Sequence, residues 1–302
     1  MTIEITPTFR RTITSAHGER GADWLDTLDD VCAEVCERWQ LRTGEVLATD
    51  ANVVQRVQRV DGTPAVLKLS VPGASATANE VGALRALACA ALVALVDHDP
   101  DRGATLLDEA VPGTSLVPLA IDDDAGATSV AAAVMGALAR PTPEGASFPS
   151  VEPQSELFAR ATDGDLRHEA IAIGLVRDAA AGYAELVRTQ TEPVLLHGDL
   201  HHGNILRHGR RWLAIDPEGL VAEREYETAA LMRNPFTRFA DIADLGAHLR
   251  RRASQLADEL DLDRERIVRW AFGRTMVSVL WHLDAHGAVH EPWLRCATVL
   301  RP

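Results

Sequence analysis

The chain has 302 residues, with 30 Lys or Arg against 44 Asp or Glu, so its formal net charge at pH 7 is −14. Apolar residues make up 46% and charged residues 25% of the sequence, which excludes a disordered or fibrous chain and suffices for two domains with separate cores. The acidity excludes a general nucleic-acid-binding protein, which needs a basic face against phosphates, and it suits a cationic small molecule as partner.

The first third of the chain predicts a sheet with two helices. Apolar residues recur at three- and four-residue intervals over residues 23–40, which is typical of an amphipathic helix. A second, Ala- and Leu-rich helix is predicted over residues 75–95. Strands are predicted at residues 45–47, 53–60, 65–69 and 104–109. Asp61–Gly62 indicates a hairpin turn, and Pro112–Gly113 ends the last strand.

The rest of the chain is predicted to be mostly helical. Helices are expected near residues 127–139, 154–163, 166–190, 238–259 and 263–286. A hairpin with its turn at His208–Gly209 lies between them. We therefore predict an α+β protein with a β-rich lobe at residues 1–110 and a larger helical lobe at residues 111–302.

The most informative segment reads LLHGDLHHGNI at residues 195–205. It places the carboxylate of Asp199 five positions before the amide of Asn204, and the hairpin that follows delivers Asp216. This set suits in-line phosphoryl transfer, in which one carboxylate accepts the proton of the attacking hydroxyl. The amide and the second carboxylate hold Mg²⁺ on the nucleotide phosphates.

The other parts of a kinase site precede this segment in the expected order. Lys68 is the sole lysine of the chain, and its apolar strand resembles the V-A-I-K strand that contacts the α- and β-phosphates. Glu80 follows on the next helix, where it would pair with Lys68. Residues 107–110 would form the hinge whose backbone meets adenine, which makes Asp108 and Ala110 candidate nucleotide-binding residues.

Two departures from protein-kinase motifs indicate a particular branch of the kinase-like fold. The catalytic segment reads H-G-D where protein kinases have H-R-D, and D-P-E-G stands in place of D-F-G. Both features resemble the aminoglycoside phosphotransferase branch of the kinase-like fold. More narrowly, HGDLHHGNIL followed by RRWLAIDPEGLVAEREYE is similar to the aminoglycoside 6-phosphotransferase and hydroxyurea phosphotransferase family, which includes streptomycin 6-kinases. The resemblance covers nearly the whole chain.

The resemblance implies a two-lobed protein-kinase-like fold and ATP- and Mg²⁺-dependent phosphorylation of a hydroxyl on a small molecule. An aminoglycoside such as streptomycin is the first candidate, with antibiotic inactivation as the outcome, and hydroxyurea or another amino-sugar-like metabolite is the alternative. The resemblance also implies that Asp199 is the catalytic base, that Asn204 and Asp216 are Mg²⁺ ligands, and that Lys68 with Glu80 is the phosphate-positioning pair. The candidates for the acceptor pocket on the helical lobe are Glu227, Trp281 and Asp284.

Two features depart from the family pattern. Residues 48–52, ATDAN, should cover the phosphates but contain no glycine, so the G-x-G-x-x-G of kinases is absent. Glu218 stands beside Asp216, where family members often carry a basic residue.

Several side chains allow a second interpretation. Trp281 could be a core residue, and the run Glu223, Glu225 and Glu227 is either a solvated helix start or part of a pocket for cations. His197 is expected to shape its loop through backbone hydrogen bonds rather than act as a base. A metallohydrolase using His201 and His202, or the trio His282, His286 and His290, is an alternative function, although Gly287 should end the helix between the last two. A further alternative function is that of a nucleotide-binding protein that has lost catalysis.

The sequence predicts a cytoplasmic protein. It contains no run of about 18 apolar residues and no secretory signal at its start, so no membrane partner is expected. The four cysteines are scattered, which predicts reduced thiols. The sequence does not predict the oligomeric state.

Overall fold

The computed structural model describes residues 3–47 and 51–302. Residues 48–50, the larger part of the predicted phosphate-covering loop, lie outside the described residues. The chain divides into two compact units, Met1–Val111 and Pro112–Pro302.

The first unit is built on a five-stranded antiparallel sheet in the order β1-β2-β3-β5-β4. Its strands are β1 (Arg42–Leu47), β2 (Val53–Gln58), β3 (Pro64–Leu69), β4 (Leu95–Asp99) and β5 (Ala104–Asp108). Its helices are α1 (Pro7–Arg38) and α2 (Ser75–Ala86). Alternate residues of β2 are buried, because successive side chains of a strand point to opposite faces. Trp24, Leu28 and Val35 of α1 share one apolar core with Val57 and Leu67 of the sheet.

Two predicted helices of this unit had wrong bounds. The first helix begins at Pro7 instead of residue 23, because the hydroxyl of Thr6 accepts a hydrogen bond from the Phe9 N–H and caps an earlier start. Non-helical backbone at Gly18 interrupts it. The second helix ends at Ala86, and residues 95–99 form β4 on β5. The Ala-rich run favours a helix locally, but pairing at the sheet edge outweighs this preference.

The second unit is mostly helical. Its helices are α3 (Val117–Asp122), α4 (Asp124–Leu138), α5 (Glu156–Asp163), α6 (Ile173–Arg188), α7 (Arg224–Met232), α8 (Leu245–Leu260), α9 (Arg264–His286) and α10 (Glu291–Leu300). Its strands are β6 (Pro112–Ser115), β7 (Val194–Leu196), β8 (Ile205–His208), β9 (Arg211–Ala214) and β10 (Leu220–Ala222). They form a three-stranded sheet, β6-β8-β9, and the pair β10-β7, which position the motif segment between the helices.

Helix α9 is the centre of this unit. It packs against α5, α6, α7, α8 and α10. The ring of Trp270 lies edge-on to Tyr183 of α6 and Tyr226 of α7, with centroids 5.3 and 5.2 Å apart. As predicted, Gly287 ends α9, with a φ of +67°. Because α9 is enclosed on most sides, the charged Arg274 in its middle is buried.

Two helices of this unit start later than predicted. Helix α6 begins at Ile173 and α8 at Leu245, where the side chain of Asp244 accepts a hydrogen bond from the Ala247 N–H and caps the helix. A 3₁₀ turn at Phe236–Arg238 occupies the predicted start of α8. Within the described part of the chain, no helix combines the length and apolar character needed to cross a membrane.

Candidate active site

The first unit contains a buried ion pair between Lys68 and Glu80. Lys68 lies on β3, paired in register with Val54 of β2 and Thr105 of β5, so its position within the sheet is determined from both sides. Its Nζ lies 2.8 Å from each carboxylate oxygen of Glu80 on α2. The two side chains are buried, so the pair is well shielded from solvent. The structure thus forms the pair that the spacing predicts.

The predicted hinge residues lie at the end of the first unit. Asp108 is the last residue of β5, and its N–H donates to the carbonyl of Ala94 at 3.0 Å. Its carboxylate is half-exposed and lies 3.9 Å from Arg59, whereas Ala110 is buried.

In the second unit, the loop after β7 carries the H-G-D motif and is held by a buried carboxylate. The N–H groups of His197 and Gly198 donate to Glu227 of α7 at 2.7 and 3.1 Å. Gly198 has a φ of +94°, and a Cβ there would lie 3.1 Å from the Cβ of Glu218 and 3.2 Å from that of Leu220. The loop conformation therefore requires glycine between the histidine and the aspartate.

His197 shapes this loop, as predicted. Its Nε2–H donates to the carbonyl of Ile215 at 2.8 Å, and its Nδ1 accepts from the N–H of Asp199 at 3.3 Å. Burial lowers the pKa of His197 to about 4, so the imidazole is neutral near pH 7 and both of its nitrogens are engaged.

Asp199 is held by two arginines that sequence analysis missed. Its Oδ1 accepts a hydrogen bond from Nη2 of Arg233 at 2.7 Å, and Nη2 of Arg274 lies 3.9 Å away. On the other side, Nε2 of His201 lies 3.7 Å from Oδ2. Burial alone would raise the pKa of Asp199, but Arg233, His201 and Arg274 outweigh it and lower the pKa to about 2. Asp199 is therefore ionised near pH 7.

The hairpin of β8 and β9 brings Asn204 next to the residue before Asp216. The register pairs Ile205 with Ala214, and the N–H of Ile215 donates to the carbonyl of Asn204 at 3.0 Å. The side-chain amide of Asn204 donates from Nδ2 to the carbonyl of Asp199 at 3.0 Å, which leaves its Oδ1 as the acceptor atom. An amide oxygen and a carboxylate are hard oxygen donors of the kind that Mg²⁺ prefers, so this pair fits the predicted ion.

A cavity of about 520 Å³ adjoins Asp199 within the second unit. Apart from four charged residues, its lining is formed by Gln154, Leu157, His201, Asn234, Phe236, Val277, Ser278, Trp281 and Trp293. Its charged lining consists of Asp199 and Glu218 with Arg233 and Arg274, two carboxylates against two guanidinium groups. The acidity of the chain as a whole is thus not concentrated in this cavity.

Glu218 has a partner in this arrangement. Its Oε2 lies 3.6 Å from Nη2 of Arg274, which also donates to the carbonyl of Gly198 at 3.4 Å. The arginine lies over the ring of Tyr226, 5.4 Å from its centroid. Arg274 therefore faces Glu218, the carboxylate at the position where family members often carry a basic residue. The sequence signal for Arg274 is a charge inside an otherwise apolar helix stretch.

Of the three residues predicted for the acceptor pocket, one lines the cavity and two do not. Trp281 lines the cavity and is 55% exposed, so the alternative of a core tryptophan is wrong. Asp284 forms a two-point ion pair with Arg160, at 2.7 and 2.8 Å, and does not line the cavity. Glu227 is buried against the amides of the catalytic loop and does not line the cavity either.

Two residues of the acidic run before and within α7, Glu223 and Glu227, match neither predicted role, whereas Glu225 is partly exposed in the first turn of the helix. Glu223 is buried and accepts hydrogen bonds from Arg266, at 2.6 and 2.8 Å, and from the indole of Trp270. Together with Glu227 it ties α7 to its neighbours, so these two residues are neither solvated nor free to bind a cation. Residue type and spacing do not distinguish a buried carboxylate that connects neighbouring elements from a solvated one.

The histidine trio forms a ring cluster. The ring of His282 lies 4.5 Å from that of His286 and 5.3 Å from that of His290. The Nδ1 of His290 accepts the N–H of Trp293 at 3.3 Å, at the start of α10. Among residues 3–47 and 51–302, no group of three or more His, Cys, Asp or Glu side chains is arranged to hold a metal ion.

Comparison with known proteins agrees with this chemistry. A sequence profile of the family described as aminoglycoside/hydroxyurea antibiotic resistance kinase matches residues 38–286. The chain is 32% identical to streptomycin 6-kinase of Streptomyces glaucescens, over 96% of this chain and 94% of that protein. It is 34% identical to hydroxyurea phosphotransferase of Kitasatospora aureofaciens, over 94% of this chain and 82% of that protein.

Solved structures show the same fold at low sequence identity. The aminoglycoside phosphotransferase APH(4)-Ia, in a ternary complex with ADP and hygromycin B, is 16% identical and superposes with a TM-score of 0.59 over 89% of this chain and 97% of that one. The choline kinase LicA of Streptococcus pneumoniae is 12% identical, with a TM-score of 0.62 over 90% and 98%. The predicted protein-kinase-like fold is thereby confirmed. The chain belongs to the aminoglycoside/hydroxyurea antibiotic resistance kinase family and is a phosphotransferase that acts on a hydroxyl group.

Proposed function

We propose that this enzyme transfers the γ-phosphate of ATP to a hydroxyl of an aminoglycoside, with streptomycin as the first candidate. The observation that carries the proposal is the position of Asp199, next to a cavity and in its ionised form. Its ionised carboxylate lines a cavity large enough for a small molecule, and Asn204, a candidate Mg²⁺ ligand, donates a hydrogen bond to the carbonyl of Asp199. The N–H of Ile215, the residue before the candidate ligand Asp216, donates to the carbonyl of Asn204.

The chemistry assigned to Asp199 follows from its environment. One oxygen is bound by Arg233, and the other is available to accept a hydrogen bond from the acceptor hydroxyl. The hydroxyl oxygen attacks the γ-phosphorus, the bond between that phosphorus and the ADP oxygen breaks, and the hydroxyl proton passes to Asp199. A carboxylate with a pKa of about 2 is a weak base, so it orients the hydroxyl and takes the proton late in the transfer.

Three groups of residues would bind the nucleotide and its ion. Asn204 and Asp216 would hold Mg²⁺, which neutralises charge on the phosphates when bound. Lys68, fixed by Glu80, would contact the α- and β-phosphates. The backbone between Asp108 and Ala110 would meet adenine.

The choice of acceptor rests on relatives and on the cavity. Two relatives at 32% and 33% identity are streptomycin 6-kinases. The aromatic rings of Phe236, Trp281 and Trp293 line the cavity, where aromatic side chains can contact sugar rings and cationic groups, and Glu218 adds a carboxylate. Hydroxyurea is the second candidate because a relative at 34% identity is a hydroxyurea phosphotransferase.

An acceptor panel tests this proposal. Streptomycin, other aminoglycosides, amino sugars and hydroxyurea are each incubated with ATP and Mg²⁺, and phosphorylated product is detected by mass spectrometry alongside ADP release. We expect ATP-dependent phosphorylation of streptomycin. Phosphorylation of hydroxyurea alone would move the assignment to the second candidate. ATP hydrolysis without any phosphorylated acceptor would contradict both.

A further inference from the structure

We propose that Arg233 is a positioning residue for the reaction, which aims Asp199 at the acceptor hydroxyl and is itself held by Arg252. This inference rests on the proposed function, because it concerns how the assigned base is oriented.

The first support is the geometry at the carboxylate. Nη2 of Arg233 lies 2.7 Å from Oδ1 of Asp199, and the arginine side chain is 7% exposed against 24% for the aspartate. Oδ2 has no hydrogen-bond partner among the described residues, since His201 is 3.7 Å away. Arg233 thus occupies one oxygen from the protein side and leaves the other for a hydroxyl in the cavity.

The second support is the position of Arg233 at the end of α7. This helix contacts the catalytic loop twice. Glu227 near its start binds the N–H groups of His197 and Gly198, and Arg233, immediately after its last residue, binds the Asp199 side chain. Because the two contacts are about 9 Å apart along one helix, at 1.5 Å per residue, α7 fixes both the backbone and the carboxylate of the loop.

The third support is the anchoring of the backbone around Arg233. Arg252 of α8 is fully buried, and its Nη1 donates to the carbonyls of Leu231 and Asn234 at 2.8 and 2.6 Å. These carbonyls lie on either side of Arg233 in sequence. The other end of the Arg252 guanidinium pairs with Asp124 of α4. Helices α4 and α8 therefore hold the segment from which Arg233 reaches Asp199.

The fourth support is energetic. Among the described residues, Asp199 is the one partner of the Arg233 guanidinium, whose Nε and Nη1 are buried without a hydrogen bond. Burying a guanidinium is costly unless it is paired, and an apolar side chain would fill the same space at lower cost. The charge at position 233 is therefore accounted for by Asp199.

The test compares Arg233→Met and Arg233→Lys with wild type, using streptomycin or hydroxyurea, whichever the wild-type enzyme phosphorylates. Arg269→Met is the matched control, because Arg269 is partly exposed, is paired with Glu185 at 2.7 Å and does not line the cavity. We expect Arg233→Met to lower kcat by about 10²-fold, the scale of a small misplacement at the reacting centre. The KM for ATP should change little, and Arg233→Lys should recover part of kcat.

A double-mutant cycle separates positioning from general damage. In an Asp199→Ala background, which removes the acceptor of the Arg233 hydrogen bond, Arg233→Met should lower the residual rate no further, because its effect passes through the carboxylate. A further loss equal to that in the wild-type background, or wild-type kcat in Arg233→Met, would overturn the inference while leaving the proposed function intact. Absence of turnover by the wild-type enzyme with every acceptor would instead overturn the proposed function, and the inference with it. Arg233→Lys keeps the test decisive if Arg233→Met does not fold.

Discussion

Replacing Lys68 with Met separates the structural and chemical roles of the sole lysine. Lys68 and Glu80 are both buried, and Nζ lies 2.8 Å from both carboxylate oxygens. Removing one partner of a buried pair costs about 3–5 kcal/mol, because the remaining charge loses its counter-ion. Replacing both partners with apolar residues is often neutral. Lys68→Met should therefore lower the free energy of unfolding by about 3–5 kcal/mol, and Lys68→Met/Glu80→Leu should recover most of it.

The assay combines urea denaturation with phosphotransfer rates. Both variants should lose about 10²-fold or more in kcat, because neither has an ammonium for the phosphates. Glu34→Gln is the control for a surface pair, since Glu34 lies 3.1 Å from Arg102 at an exposed site and should cost less than about 1 kcal/mol. A double variant as unstable as Lys68→Met would refute the argument from the buried pair. Wild-type turnover in either variant would refute the phosphate role.

Three further predictions follow from other parts of the site. Since Lys68 is the only lysine, an acyl-phosphate derivative of ATP should acylate that one side chain, and excess ATP should block the reaction; labelling unaffected by ATP would argue against a nucleotide site. Burial raises the pKa of Glu227 from its ordinary 4.5 to about 7, so the folded state retains a proton that the unfolded state releases. The contribution of Glu227 to the free energy of unfolding should therefore fall as pH rises from about 4.5 to 7, opposite in sign to the contribution of buried neutral histidines such as His197. The difference in unfolding free energy between wild type and Glu227→Gln should change with pH over this range; a difference independent of pH would contradict the assignment. Trp281→Ala should raise the KM for the acceptor by about 2–10-fold and leave the KM for ATP unchanged; an unchanged acceptor KM would exclude Trp281 from the pocket.

The contacts among candidate site residues that follow from local spacing were predictable from the sequence. The segment at residues 195–205 and the hairpin after it place Asp199, Asn204 and Asp216 by short-range geometry. The Lys68–Glu80 pair depends on one strand and the helix that follows it. In each case the residue types and their order carry the information.

The sequence did not reveal the residues that reach the candidate site from distant positions in the chain. Arg233 and Arg274 reach Asp199 from positions 34 and 75 residues away in sequence, through the packing of α7 and α9. Glu227 was chosen for its charge, yet the packing of α7 directs that charge at backbone N–H groups. The end of α2 was also mispredicted, because pairing of β4 with β5 outweighs local helix preference.

The role of Asp199 is the central claim, and its direct test is substitution. Asp199→Asn preserves the shape and a hydrogen bond to Arg233, and Asp199→Ala removes both. With streptomycin and ATP, each variant should lose about 10²–10⁴-fold in phosphotransfer, while isothermal titration calorimetry shows ATP affinity close to that of the wild type. Near-normal phosphorylation by either variant would show that the carboxylate is not the catalytic base, and would contradict the account.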